Sequence, residues 1–447
     1  MAGIAGILKN NEVELVSRML GSIAHRGNHG RAVDSGNRAT IGIVWSYHEE
    51  TGVINGIKSD RYCDGPGFGQ LAEVSRENGS WQIRRDELGV SPMYIAKTQD
   101  DVLCFASEVK ALLEVSGLIR EIPPGHIYAE DFLYKYFSLE EANPDPGDPD
   151  SLARELNNLL SLAVVNRITS GTMGSWLSGG IDSSAIAVLA RPWLKNFHTF
   201  AGGISGAPDL EYARAMAHHL QSDHHEIIVE LKDMLRVLPL VIYHLESFDA
   251  LLVRSSIVNF LVAEAAAGWV EEVFSGEGGD ELFGGYNYLK QIPEGELNKE
   301  LIEITGRLHN TALQRVDRCS SAHGLTAHVV FADPELVNFA SRVPAGLKIR
   351  NGVEKWILRE SLAGMLPEII ARRPKAKFWE GAGIQKMLSD YADAKVTTAD
   401  FESGRVLENG WSLNTREEFL YYRIFTDFFG GLDHLEWMGR TKGSPVS

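Results

Sequence analysis

Two stretches of the chain combine glycine, serine and carboxylate residues in a way that suits phosphate chemistry. The first is Ser178-Gly179-Gly180-Ile181-Asp182-Ser183-Ser184, which follows the apolar Trp176-Leu177 and precedes a helical run. Glycines let the backbone approach a phosphate without a Cβ in the way. The free N–H groups and the dipole of a helix start favour an anion. Ser178, Ser183 and Ser184 add hydroxyl donors. Asp182 would repel phosphate unless a cation lies between, and Mg²⁺ shared by carboxylates and phosphate oxygens meets that need. The run lacks the lysine of GxxxxGK[ST]. Alone, it reads equally as a Gly-Asp-Ser turn capping a helix. The second stretch, Phe274-Ser275-Gly276-Glu277-Gly278-Gly279-Asp280-Glu281-Leu282-Phe283-Gly284-Gly285-Tyr286, also follows a strand candidate and carries five glycines. Alone, it reads as a flexible acidic loop. Two strand ends, each with an Asp, would hold one Mg²⁺–nucleotide between them.

The elements that must position these loops follow from periodicity. Ser151–Ile168 reads as an amphipathic helix, Thr172–Leu177 as a strand and Ser183–Ala190 as a helix. Asn196–Ala201 and His224–Val229 read as strands, Asp209–Leu220 and Lys232–His244 as helices, and Glu271–Phe274 as a fourth strand. This alternation predicts βαβ units and a parallel sheet, whose ligands bind at carboxyl strand ends. From about Leu301 the helical signal dominates. Before residue 143, short strand-like pieces (Ala39–Ser46, Trp81–Arg84, Asp101–Ala106) alternate with glycine turns, which predicts a β-rich α+β region. Asn143-Pro144-Asp145-Pro146-Gly147-Asp148-Pro149 reads as a linker. The expected units are therefore 1–142 and 150–447.

With 43 Lys+Arg against 60 Asp+Glu, the net charge of −17 argues against nucleic acid or anionic membrane as partner. Cys63, Cys104 and Cys319 have neither disulfide-framework nor metal-ligand spacing, which fits a reducing cytoplasm. The N-terminus has no basic region followed by a long apolar core, so no secretory signal is expected. The apolar stretch from Ser255 to Val270, broken by Glu264, is too short to span a bilayer.

SGGIDSS resembles the pyrophosphate loop of the ATP-pyrophosphatase (PP-loop) enzymes, and SGEGGDELFGGY resembles the synthetase domain of the glutamine-hydrolysing asparagine synthetase family. Similar segments continue through Pro208–Arg214, Asp223–Glu226, Leu313–Arg318, Lys355–Arg359, Arg373-Pro374-Lys375 with Phe378 and Gly381, and Tyr421–Phe425. In the N-terminal part they are Gly3–Gly6, His25-Arg26-Gly27, Arg85–Pro92, Phe105–Ala111 and Pro124–His126. The resemblance implies a PP-loop synthetase domain with a helical extension, behind an N-terminal glutaminase-like domain of Ntn type. It implies attack of a substrate carboxylate on the α-phosphate of ATP, release of pyrophosphate, and displacement of AMP by nitrogen. Leu177, Ser178, Gly179, Gly180, Asp182, Ser183, Ser184 and Gly276 would cradle the nucleotide. Asp182 and Asp280 would hold Mg²⁺. Lys375, Glu277, Asp280 and Arg359 would serve catalysis, with Lys355 a further helper. A homodimer is also implied.

Three departures qualify the resemblance. The family's glutaminase nucleophile is a Cys after the initiator Met; residue 2 here is Ala, so glutaminase activity is not expected, and neither Cys63 nor Cys104 can sit at a free terminus. The N-terminal region is short between Gly27 and Arg85, with Asn55-Gly56-Ile57 a faint trace of the family's substrate segment. Finally, the family's Glu-x-Arg reads Thr326-Ala327-His328 here, expected in the synthetase site, with His328 either an alternative base or a structural histidine. The nitrogen donor would then be free ammonia, ammonia from a separate protein, or a substrate amine. An intramolecular amide-forming synthetase of β-lactam or lasso-peptide type and a non-catalytic nucleotide-binding homologue are the alternatives; Glu277, where β-lactam synthetases carry Tyr, weakens the β-lactam reading.

Overall fold

The computed structural model describes residues 2–46, 61–145, 147–375, 385–430, 432 and 434–441. Asn55-Gly56-Ile57, Phe378 and Gly381 lie outside them. The N-terminal part stacks two antiparallel sheets. One has the order β2-β3-β1-β8-β7-β9, built from β1 (Ala2–Ile7), β2 (Gly30–Gly36), β3 (Ala39–Trp45), β7 (Tyr94–Lys97), β8 (Leu103–Ala106) and β9 (Ile119–Glu121). The other has the order β11-β10-β6-β5-β4, built from β4 (Arg61–Gly67), β5 (Gln70–Glu77), β6 (Ser80–Arg85), β10 (His126–Ala129) and β11 (Phe132–Lys135). Strand alternation sets the layers. On β1, Ala2 and Ile4 face the core between the sheets with Val74 and Ile83, while Ala5 and Ile7 pack under helix α1 (Val13–Ser22) with Val16 and Leu20.

The rest is an α/β unit around a five-stranded parallel sheet. Helix α2 (Pro149–Asn166) leads in, and the Asp148 carboxylate accepts from the Ser151 N–H at 3.0 Å. The helix thus begins inside the stretch read as linker, because proline is tolerated at a first helical position. The sheet order is β14-β13-β12-β15-β16, with β12 Thr172–Trp176, β13 Asn196–Gly203, β14 Asp223–Ile228, β15 Glu272–Ser275 and β16 Thr326–Val329. Helices α3 (Ile181–Ala190), α4 (Pro208–Leu220) and α5 (Leu231–Leu245) alternate with the strands as the periodicity predicts, and a further helix, α6 (Ala250–Ala266), which the sequence reading did not name, follows α5 before β15. The fifth strand, β16, is a correction, since it falls where sequence alone suggested helix. Its four residues pair with β15, Glu272 opposite Thr326 and Phe274 opposite His328.

Strand order reverses between β12 and β15, and the two glycine-rich loops leave the carboxyl ends of these two strands. That is the switch point at which a parallel sheet opens a crevice. Further helices, α7 (Gly279–Phe283), α8 (Glu294–Gly306), α9 (Ala312–Ser321), α10 (Pro334–Arg342), α11 (Trp356–Ser361) and α12 (Arg416–Phe429), wall the crevice and fill the C-terminal part. No helix among the described residues is long and apolar enough to cross a membrane.

Helix α9 joins the two parts. Arg26, fully buried, donates through Nη1 and Nη2 to the two Asp317 carboxylate oxygens at 2.8 and 2.9 Å, and through Nη1 to Glu108 at 2.9 Å. Arg318, one residue on, pairs with Glu108 at 2.7 Å and Glu246 at 3.0 Å. Buried charges of this kind persist when each is paired.

Candidate active site

A cavity of about 840 Å³ opens at the switch point. Its floor comes from Leu177, Ser178, Gly180, Asp182 and Ser183 after β12, and from Gly276, Glu277 and Asp280 after β15. The loops touch backbone to backbone: a Cβ on Gly276 would lie 2.7 Å from the Ser183 nitrogen. Gly180 begins helix α3 with no side chain capping it, which leaves the first-turn N–H groups to serve an anion. The Ser183 hydroxyl lies 3.3 Å from the Ser178 hydroxyl and donates to the Gly180 carbonyl at 3.2 Å, which shapes the loop. Two expected residues do not line the cavity. Gly179, at φ +69°, is backed against Tyr212, and the fully buried Ser184 hydroxyl has no hydrogen-bond partner.

Four charged groups meet at the centre. The Lys355 Nζ, on a side chain 1% exposed, pairs with Asp182 and sits 2.5 Å from Asp280 Oδ1. The Lys375 Nζ donates to Asp280 Oδ2 at 2.5 Å. Close approach makes Gly285 obligatory here, because a Cβ would fall 1.8 Å from Asp280 Oδ1 and 2.2 Å from the Lys355 Cε. Burial raises the Asp182 carboxyl above its ordinary range despite Lys355. At Asp280, burial is outweighed by Lys355 and Lys375, and the carboxyl titrates below its usual range. Burial likewise works against the Lys375 ammonium but is outweighed by Asp280 and Asp182, so Lys375 stays charged.

The surrounding arginines are committed to protein partners. Arg359 lines the cavity, yet its Nε donates to the Glu354 carbonyl at 2.9 Å and its Nη1 to the Ala371 carbonyl at 2.6 Å. Its Nη2 reaches the Glu354 carboxylate at 3.1 Å and the Arg373 carbonyl at 3.0 Å. These bonds tie down the 371–375 segment that carries Lys375. Arg373 donates to the Ser178 carbonyl at 2.7 Å and pairs with Asp209, locking the same segment to the first loop. Glu277 accepts from Arg315 Nη2 at 2.6 Å, and Arg315 Nη1 donates to the Ser255 hydroxyl at 2.9 Å. The Glu281 carboxyl, pushed up to about 7 by burial and by Asp280, accepts from the Tyr286 hydroxyl at 2.5 Å.

Thr326 and His328 do not line this cavity. His328 is 2% exposed in the body of β16, with Nε2 2.8 Å from Glu272 Oε2, which favours the structural reading of this histidine. Lys355, Arg373, Asp209 and Arg315 are the residues that sequence reasoning left underweighted. All lie in segments that resemble the family, but only their three-dimensional neighbours show what each one does. In the N-terminal part, Ala2 is buried and its carbonyl accepts from Arg26 Nε at 2.9 Å. Burial pushes the Cys63 thiol up and the Cys104 thiol to about 12, so neither offers a thiolate near neutrality.

The centre suits a divalent cation. Asp182 Oδ1 is buried with no hydrogen-bond partner, and two carboxylates from separate strand ends converge beside it. Hard carboxylate oxygens with room for phosphate oxygens are the donor set Mg²⁺ takes.

Comparison with known proteins shows the family. The family model described as asparagine synthase matches residues 155–303 and 293–442, and one described as a glutamine amidotransferase domain matches residues 67–163. Asparagine synthetase B [glutamine-hydrolyzing] of Escherichia coli is 31% identical over 390 residues, covering 81% of this chain and 70% of that protein. Asparagine synthetase [glutamine-hydrolyzing] 3 of Arabidopsis thaliana is 34% identical over 380 residues, covering 78% of this chain and 65% of that protein. The matches thus span about two thirds of these relatives' length. Among solved structures, the NH3-dependent NAD synthetase from Campylobacter jejuni is 22% identical with a TM-score of 0.24, covering 31% of this chain and 61% of that one. The chain belongs to the asparagine synthase family of ligases.

Proposed function

We propose that this protein is an ATP-dependent, AMP-forming amide ligase, made of a glutaminase-like region (1–142) and a synthetase region (150–447). A substrate carboxylate oxygen attacks the α-phosphorus of ATP, and the bond to pyrophosphate breaks. A nitrogen nucleophile, ammonia or an amine carried by the substrate, then attacks the acyl carbon, releases AMP and loses a proton. The observation that carries this reading is the convergence of Asp182 and Asp280 with Lys355 and Lys375 where the two glycine-rich loops meet.

In this reading Ser178, Gly180, Ser183 and the N–H groups at the start of α3 bind pyrophosphate, with Gly179 and Ser184 shaping the loop. Leu177 and Gly276 border the nucleotide. Asp182 and Asp280 would hold Mg²⁺, which supplies neutralisation of phosphate charge. Lys355 and Lys375, now paired with those carboxylates, turn to phosphate oxygens and stabilise the charge that develops there. Glu277, held by Arg315, orients the incoming nitrogen. Arg359 and Arg373 are positioning residues for Lys375. We further infer that the chain does not hydrolyse glutamine itself, on the strength of Ala2 and of two thiols kept neutral. Neutral, unpaired cysteines and the lack of a spanning helix among the described residues fit a cytoplasmic setting.

The test is ATP–pyrophosphate exchange with Mg²⁺ over a panel of carboxylic acids, aspartate included, without any nitrogen donor. Exchange that depends on one acid is expected. Nucleotide binding without exchange for any acid, peptides included, would overturn the ligase assignment and leave a binding protein.

A further inference from the structure

The parallel sheet carries a second cluster of ligating side chains, away from the carboxylate–lysine centre. Strands β13 and β14 run parallel, with His198 opposite Asp223 and Phe200 opposite His225. Alternate strand residues share a face, so these four side chains stand together. His198 Nδ1 lies 3.2 Å from His225 Nε2 and 3.4 Å from Asp223 Oδ2, and His225 Nε2 lies 3.9 Å from the same oxygen. Ligand atoms about 2.0–2.1 Å from a tetrahedral zinc stand roughly 3.3–3.4 Å from one another. Two of the three edges already match, and the third closes with a shift of about 0.5 Å.

The rings are held in place. Trp269 lies 4.4 Å from the His225 ring and 5.6 Å from His198, and Phe200 stacks on His225 at 4.9 Å with 16° between planes. Because β14 is the sheet edge, the Asp223 side chain is 62% exposed, leaving an approach from solvent and a fourth position for water. Two imidazoles and one carboxylate suit Zn²⁺ or Co²⁺ rather than Mg²⁺, which selects oxygen. A direct N–H···N bond between the two imidazoles is the metal-free explanation of the shortest contact.

We propose that His198, Asp223 and His225 form a binding site for a divalent transition metal, with Zn²⁺ the favoured ion. Bound metal would stiffen the sheet edge and, through Phe200, one wall of the nucleotide cavity.

The experiment is equilibrium dialysis of the full chain against micromolar Zn²⁺, with millimolar Mg²⁺ present throughout to hold the carboxylate centre. One Zn²⁺ per chain is expected. His198→Ala and His225→Gln should each weaken uptake by at least ~10-fold, whereas Asp182→Asn should retain it. Co²⁺ should give the intense visible absorption of a tetrahedral site and quench a fluorescence component that Trp269→Phe removes. Zn²⁺ should also raise the melting temperature of the wild type but not of His225→Gln. Failure of the wild type to take up one equivalent, or equal uptake by wild type and both histidine variants, overturns the site. Loss of uptake in Asp182→Asn alone would place the ion at the carboxylate centre instead.

Discussion

Replacing Lys355 with Met probes the site most sharply, because this ammonium is shared by the two carboxylates at the centre. The side chain is 1% exposed, and Asp182 and Asp280 are 14% and 15% exposed. Removing one partner from a buried ion pair costs about 3–5 kcal/mol, since the remaining charges stay desolvated and unmatched. Over 447 residues, an unfolding entropy of roughly 2.1 cal/mol/K per residue sums to about 0.9 kcal/mol/K, so the melting temperature should fall by about 3–5 °C. The variant should also acquire a pH dependence steeper than the wild type's. Without Lys355, the Asp182–Asp280 pair holds a proton more tightly than in the unfolded chain. The native state then binds more protons, and stability falls as pH rises. Differential scanning fluorimetry from pH 5 to 8 should show the deficit shrinking toward pH 5. Millimolar Mg²⁺ should restore much of the lost stability if the carboxylates take the cation. Pyrophosphate exchange should drop about 10²–10³-fold, the scale for losing one preorganised charge stabiliser. A variant with unchanged melting temperature, no pH slope beyond the wild type's and no response to Mg²⁺ would refute the electrostatic reasoning, whatever its activity.

Arg359→Lys should lower the rate of exchange about 10–100-fold while the nucleotide dissociation constant stays within about twofold, since it loosens Lys375 rather than the loops; equal losses in both would make Arg359 a ligand. Ala2→Cys should not release ammonia from glutamine, measured by coupled glutamate dehydrogenase assay; efficient release would show that the N-terminal region still has a working pocket. Glu281, whose carboxyl is raised to about 7 from an ordinary 4.5, makes the native state hold an extra proton between those values. Its stabilising contribution is present at low pH and is lost as pH rises through 7, on the order of 3 kcal/mol at most. Glu281→Gln should flatten the stability profile between pH 5 and 7, and an unchanged profile would contradict the assignment.

Much of the parallel sheet was legible because strands such as β12 are short runs stopped by a polar, glycine-bearing turn, and helices such as α5 show an apolar stripe at 3.6-residue spacing. β16 was not, because Thr326-Ala327-His328-Val329 is only four residues long, lies among helices, and is buried on both faces despite its two polar residues. It becomes a strand through pairing with β15 and covering by Gln70, whose side chain donates to the Val329 carbonyl at 2.8 Å. Asp182 and Asp280 could be placed from their loops alone. Lys355 could not be ranked so well: it sits in a left-handed turn, φ 53°, and meets its partners only through tertiary folding. The hold of Arg359 on the 371–375 segment was invisible for a related reason, since its acceptors are mostly backbone carbonyls, to which side-chain motifs are blind.

Helix α9 has one more consequence. Arg315 faces the cavity, while Asp317 and Arg318, two and three residues on, are clasped by Arg26 and Glu108 of the N-terminal sheets. The amino-terminal region could therefore not simply be shed, whatever chemistry it performs. Its loss would strand Asp317 and Arg318 in a newly wetted surface and unseat the helix that presents Arg315 to Glu277. The amino-terminal region acts as a keystone: it braces the neighbouring site, so mutations there should be filtered by their effect on that site as well as on any chemistry of its own.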